Sequence, residues 1–165
     1  MLKTKSGKRV TKATDIKGHK KLNDIFADGK NAIVKTGFPA KSSKTASEEK
    51  GVTALEKAIW NNYGATHKTK KGKSITIPKR PFMKVAFSQN YKKYKKILRN
   101  NIGKMKQEKL LKMIGSVSEG DIRKTIKDFS DPKNADSTIA RKGEDNPLID
   151  STHMFSSVSY SVEAK

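Results

Sequence analysis

In the run Ile77-Pro78-Lys79-Arg80-Pro81-Phe82, Pro78 and Pro81 constrain the backbone on both sides. Each ring fixes φ and removes an amide donor, and each keeps the residue before it out of the helical region. No helix therefore runs through this stretch: whatever precedes it ends there, and whatever follows starts afresh. Upstream, Lys73 to Ile77 is β-prone and reads as a short strand ending at Pro78. Downstream, a stiff backbone presents Arg80 and Phe82 just before a helix. Phe82 is expected to anchor in the core, while Arg80 stays available for a carboxylate.

The other elements follow from spacing. Asn31 to Phe38 is a short strand ended by Pro39. Lys41 to Lys50 is a polar, Ser-rich loop. Thr53 and Glu56 have capping-box spacing, and Val52, Leu55 and Ile59 give a helical stripe that stops at Gly64. His67 to Lys73 reads as a basic loop. Ser88 is placed to cap a helix whose stripe is Tyr91, Tyr94, Leu98, Ile102 and Met105, at 3,4,4,3 spacing. Lys92, Lys93, Lys95, Lys96 and Arg99 take its other directions. Gly103 either breaks this helix or lets it run to Ile114, before Gly115. A short helix from about Glu119 to Phe129 follows, with Ile122, Ile126 and Phe129 on one face, closed by Asp131-Pro132. Alternation of Met154, Val158, Tyr160 and Val162 against Ser157, Ser159 and Ser161 predicts a half-buried final strand. The order β-α-β-α-α-β indicates an α+β fold: a small, mostly antiparallel sheet packed against two or three helices.

With 165 residues, 33% of them apolar, the chain has room for one domain and a modest core. Residues 1–15 have few large apolar groups and read as a basic N-terminal arm; residues 16–165 read as a single α+β domain. The absence of cysteine excludes disulfides and thiolate metal sites. The apolar runs are too short to span a membrane, and the N-terminus lacks the apolar stretch of a signal peptide. His19, His67 and His153 lie in separate polar contexts, without metal-ligand spacing. Asp24 and Asp28 at i,i+4 are a weak carboxylate pair. There is no nucleophile elbow, P-loop or dinucleotide fingerprint. The chain reads as a non-enzyme with no cofactor.

Charge is the strongest compositional signal, with a formal net of +21. It is concentrated: Lys79 to Lys112 holds twelve lysines and arginines against the single acid Glu108. A helical face almost without acids repels itself, so this one reads either as a solvated polar face held at some cost or as a face for a partner, phosphates or an acidic protein surface. The residues leave both open.

Two distant segments carry a more specific signal. The first is Ala58-Ile-Trp60-Asn-Asn-Tyr63-Gly64, followed after a loop by Ile77-Pro78-Lys79-Arg80-Pro81-Phe82-Met83. The second begins Ser137-Thr-Ile139 and continues through Lys142-Gly143, Pro147-Leu148-Ile149-Asp150 and Met154 to Ser157-Val158-Ser-Tyr160. It reads as a loop, a turn at Lys142-Gly143, an aliphatic anchor at Leu148-Ile149, and a turn capped by Asp150. Together they resemble the tail-completion or virion-morphogenesis family of tailed bacteriophages, including its version in Mu-like phages. Val34, Gly37, Phe38 and Pro39 fit that family's early strand, so the resemblance covers roughly residues 30–163. Two positions depart from the pattern. Asn62 replaces the acid before the aromatic, and Ser151-Thr152 replaces a Thr-Gly pair. Asp150 is therefore expected to cap a helical turn instead of a glycine-dependent one.

The resemblance implies a structural protein of the virion, made in the host cytoplasm and built into the head–tail neck or tail end. It implies a homo-oligomeric ring, taken as a hexamer. The ring's neighbours would be connector or head-completion proteins on one side and tail tube or sheath proteins on the other, with DNA nearby in the channel and no membrane. Carried over by position, Trp60, Tyr63, Pro78, Arg80, Pro81 and Phe82 would be scaffold and interface residues. Pro147, Leu148, Asp150, Met154 and Tyr160 would form the C-terminal turn and strand. Lys92, Lys93, Lys95, Lys96 and Arg99 would face a partner. The alternative reading is a nucleic-acid-binding protein using Lys79–Lys112 and the N-terminal arm.

Overall fold

The computed structural model describes residues 32–39, 52–69, 72, 74–149 and 152–164. The N-terminal arm, His19, the Asp24/Asp28 pair, the Lys41–Lys50 loop and Asp150 lie outside the described residues.

The fold is α+β. Strand β1 (Ala32–Gly37) precedes helix α1 (Ala54–Tyr63), strands β2 (Ala65–Lys68) and β3 (Ser74–Ile77), and helix α2 (Phe82–Asn101). Then come α3 (Gln107–Asp128), α4 (Asp136–Lys142), a single turn α5 (His153–Ser156) and β4 (Ser159–Ala164). The strands form two separate antiparallel pairs, β1–β4 and β2–β3.

The β1–β4 pair joins the two ends of the described chain. Val34 stands opposite Val162 and Thr36 opposite Tyr160. Alternation turns these residues towards α3 and leaves Ile33, Lys35 and Glu163 outward. The Thr36 and Ser118 hydroxyls meet at 2.7 Å, pinning β1 to α3. Gly115 permits the approach of β4: a Cβ there would lie 2.2 Å from Cδ2 of Tyr160. A methyl group cannot share that space, so the aromatic ring packs on the bare helix backbone.

Helix α1 starts as its sequence dictates. The Thr53 hydroxyl accepts from the Glu56 amide, and the Glu56 carboxylate accepts from the Thr53 amide at 2.8 Å. It stops at Gly64, whose φ of +80° suits glycine and brings the chain close to the Lys79 amide.

Several expectations need correction. His67 and Lys68, expected at the start of a basic loop, belong to strand β2, which pairs with β3 across a hairpin. Helix α2 begins at Phe82 with Pro81 at its N-cap, so Ser88 lies inside it and donates to the Val85 carbonyl. The break falls after Asn101, and α3 then runs unbroken through Gly115 and Gly120 to Asp128. Residues 136–142 are a helix, where a loop was expected, and it ends at Gly143. Met154 and Ser157 belong to the α5 turn, so only Ser159 onward is strand. Thr152 has φ −65° and ψ −4°, ordinary right-handed values, so no glycine is needed there. The helical turn that follows takes the place of the glycine-dependent one.

Candidate functional site

The two distant segments close on one core. Ala58 and Phe82 come from the first, Leu148, Met154 and Val158 from the second, and Ile122 and Ile126 of α3 fill between them. Phe82 is fully buried, which for a side chain of this size contributes about 2–3 kcal/mol. Its ring meets that of Phe38 edge-on at 6.3 Å.

Arg80 does not stay available for a carboxylate; it is 4% exposed. Its Nε donates to the Pro132 carbonyl at 2.9 Å, and one terminal nitrogen donates to the Lys133 carbonyl at 3.0 Å and to Asn134 Oδ1 at 3.3 Å. The other donates to Asn61 Oδ1 at 3.2 Å. Burial lowers the pKa of the guanidinium and the charge of Asp145 raises it; the group remains charged at neutral pH. Five donors in a fixed fork allow one side chain to tie α1 to the segment after α3. The stiff proline frame holds that fork in place. Lys142 does similar work, donating to the carbonyls of Asn146 and Ile149 and closing the loop that carries Leu148. Arg80 and Lys142 thus both donate to backbone carbonyls.

The remaining motif residues divide between inside and outside. Pro147 and Met154 are buried, and Pro81 and Tyr160 are half-buried. Trp60 packs edge-on against His67, with ring centroids 4.7 Å apart. Pro78 is exposed, and Tyr63 is 70% exposed at the end of α1.

Helix α2 has three faces. Phe82, Ala86 and Tyr94 are buried. Lys92, Lys96 and Arg99 are exposed on a second, basic side. Between them Phe87 (60% exposed), Tyr91 (50%), Leu98 (37%) and Ile102 (40%) form an apolar stripe that no described residue covers. This corrects the expected core stripe, of which Tyr94 alone is buried. The core-facing row is instead Phe82, Ala86 and Tyr94, with Asn90 donating to the Ala86 carbonyl within it. Lys95 lies beside the Tyr91 ring, its ammonium 6.0 Å from the centroid.

Lys93 departs from the other lysines. It turns towards α3 and pairs with Asp121, which also meets the Tyr94 hydroxyl. Burial first, then the bond to Asp121 and its charge, push the Tyr94 phenol well above its usual range. This triad fastens α2 to α3 above a cavity of about 270 Å³ lined by Gln89, Asn90, Lys124 and Asp128 among others. No group of three or more His, Cys, Asp or Glu is placed to hold a metal ion among the described residues. The arrangement offers contact surfaces, with the motif residues acting as the frame behind them.

Sequence reasoning missed Asp121, Gly115 and Phe87. Asp121 has no local signature, since its partners lie 27 and 28 residues back. Phe87 lies four residues before Tyr91, a helical spacing that already signalled a continuous row. Compared with known proteins, the chain matches no family model, no curated protein and no solved structure.

Proposed function

We propose that this chain is a structural subunit of a tailed-phage virion. In this reading it forms a ring at the head–tail neck or tail end that joins the portal or connector to the tail. The observation that carries the reading is the convergence of the two motif segments. Each alone is a short and weak match; they pack against each other around Phe82, Leu148, Met154 and Val158, which supports reading them together as one signature. Motif cations used on backbone carbonyls fit a family whose shared residues maintain a shape and catalyse nothing. An uncovered apolar stripe beside a basic face also suits a subunit whose surface is completed by assembly.

The test has two arms. Size-exclusion chromatography with light scattering of the full chain should show a closed oligomer, and antibody labelling should find the protein at the head–tail junction of mature virions. A protein that is monomeric at every concentration and absent from virions overturns the proposal.

The exposed Lys92, Lys96 and Arg99 keep one second reading in view, a nucleic-acid-binding protein. Filter binding to duplex DNA over a salt series decides it, since each phosphate contact contributes a slope of about −0.9 in log K against log salt.

A further inference from the structure

We infer that the apolar stripe of α2 is the surface by which one copy of this chain grips the next. Its complement is the acidic segment 128–145 of the neighbouring copy. This rests on the ring reading and names the surface that would build the ring.

The stripe from Phe87 to Ile102 spans about 22 Å at 1.5 Å per residue, long enough to seat against another element along its length. Its surroundings set the chemistry of the occupant. Helix α2 contains no acidic residue, and Lys84 and Lys95 lie on the helical directions that border the stripe. Neither forms an ion pair among the described residues. An occupant that brought more positive charge would be repelled, so the basic border of the stripe calls for an acidic margin on whatever seats there.

Among the described residues of this strongly basic chain, the segment 128–145 offers such a margin. Asp128, Asp131, Asp136, Glu144 and Asp145 outnumber Lys133, Arg141 and Lys142 there, and all five acids are exposed. Asp131, Asp136 and Glu144 form no ion pair among the described residues. Copies carrying so much like charge repel at long range, and a local match of opposite charge is what fixes their register at contact. Because the two patches differ, their pairing is head-to-tail, the kind of interface that closes into a ring.

The experiment reverses each patch in the full chain and reads self-association by light scattering. Lys84→Glu with Lys95→Glu makes both patches acidic; Asp136→Lys with Glu144→Lys makes both basic. All four residues are exposed, and thermal melts establish that each variant is folded; for a variant that melts non-cooperatively, the single changes Lys95→Glu and Glu144→Lys take its place. Each variant alone should self-associate about tenfold more weakly than wild type or worse. An equimolar mixture should restore the wild-type oligomer, as a ring of alternating copies in which every junction is complementary. Tyr91→Ser with Leu98→Ser should weaken assembly without lowering the melting temperature. Variants that assemble like wild type overturn this surface while leaving the ring reading intact. A wild-type protein that never assembles overturns both. Failure of the mixture to recover overturns the acidic segment as the complement. Unchanged assembly with loss of duplex DNA binding in the Lys84/Lys95 variant overturns the inference in favour of a nucleic-acid surface.

Discussion

At the scale of single residues, the least conspicuous position has the sharpest structural requirement. Gly115 sits mid-helix, where alanine would ordinarily be favoured by up to about 1 kcal/mol. The Tyr160 ring occupies the space that a Cβ needs. Gly115→Ala should therefore destabilise the protein by about 1–3 kcal/mol in urea unfolding. In a Tyr160→Ala background the same change should be neutral or stabilising, and equal costs in both backgrounds would show the contact to be unimportant. Arg80 yields the second residue-scale prediction. Arg80→Lys keeps the charge but loses the fork, so it should cost about 1.5–3 kcal/mol. The same urea unfolding reads it, and a cost below about 0.5 kcal/mol would show the fork to be unimportant. Of these two residues the sequence announced Arg80, through the prolines around it, but not its use. A buried guanidinium binding carbonyls and an exposed one awaiting a carboxylate look identical in a sequence.

At the scale of elements, α1 was the most legible, since its start and stop are local chemistry. The backbone hydrogen bond from Thr53, and then its hydroxyl, hold the Glu56 carboxyl below its ordinary 4.5. A folded-state pKa below the unfolded one means stability that is complete above about pH 4.5 and lost as pH falls through the folded value. Thr53→Ala should cost about 0.5–2 kcal/mol at pH 7. Glu56→Gln should flatten the acid limb of a pH–stability curve measured between pH 2 and 7, and an unchanged acid limb would remove the cap from the account. Helix α2 was legible as a helix but not in its orientation. Its aromatic row had helical spacing, yet the core took the neighbouring row of Phe82, Ala86 and Tyr94. Two adjacent apolar rows on one helix leave the choice to whatever packs against it. Helix α3 was misread as two pieces because Gly115 looks like a break when only propensity is weighed. Packing against Tyr160 outweighs that propensity.

At the scale of the whole molecule, charge governs. A net charge of +21 opposes compaction, and only Lys35–Glu163, Lys93–Asp121, Lys112–Glu108 and Arg123–Glu119 are ion pairs placed among the described residues. Added salt screens the repulsion more than it weakens these few contacts. Stability should therefore rise by about 1 kcal/mol, a few degrees in Tm, between low salt and roughly 0.5 M KCl. A Tm that falls with salt would mean that attractive pairs dominate instead.

The sequence by itself determined the class of fold, the caps of α1, the proline frame before α2 and the alternation of the last strand. Each of these depends on groups within a few residues of one another, where geometry is fixed by covalent structure and local hydrogen bonds. Only the tertiary structure decided that Arg80 is buried on backbone carbonyls, that Gly115 makes room for Tyr160, and that the stripe of α2 faces outward. Those outcomes depend on which surfaces meet across the chain, and burial is a property of a pair of surfaces that neither carries alone.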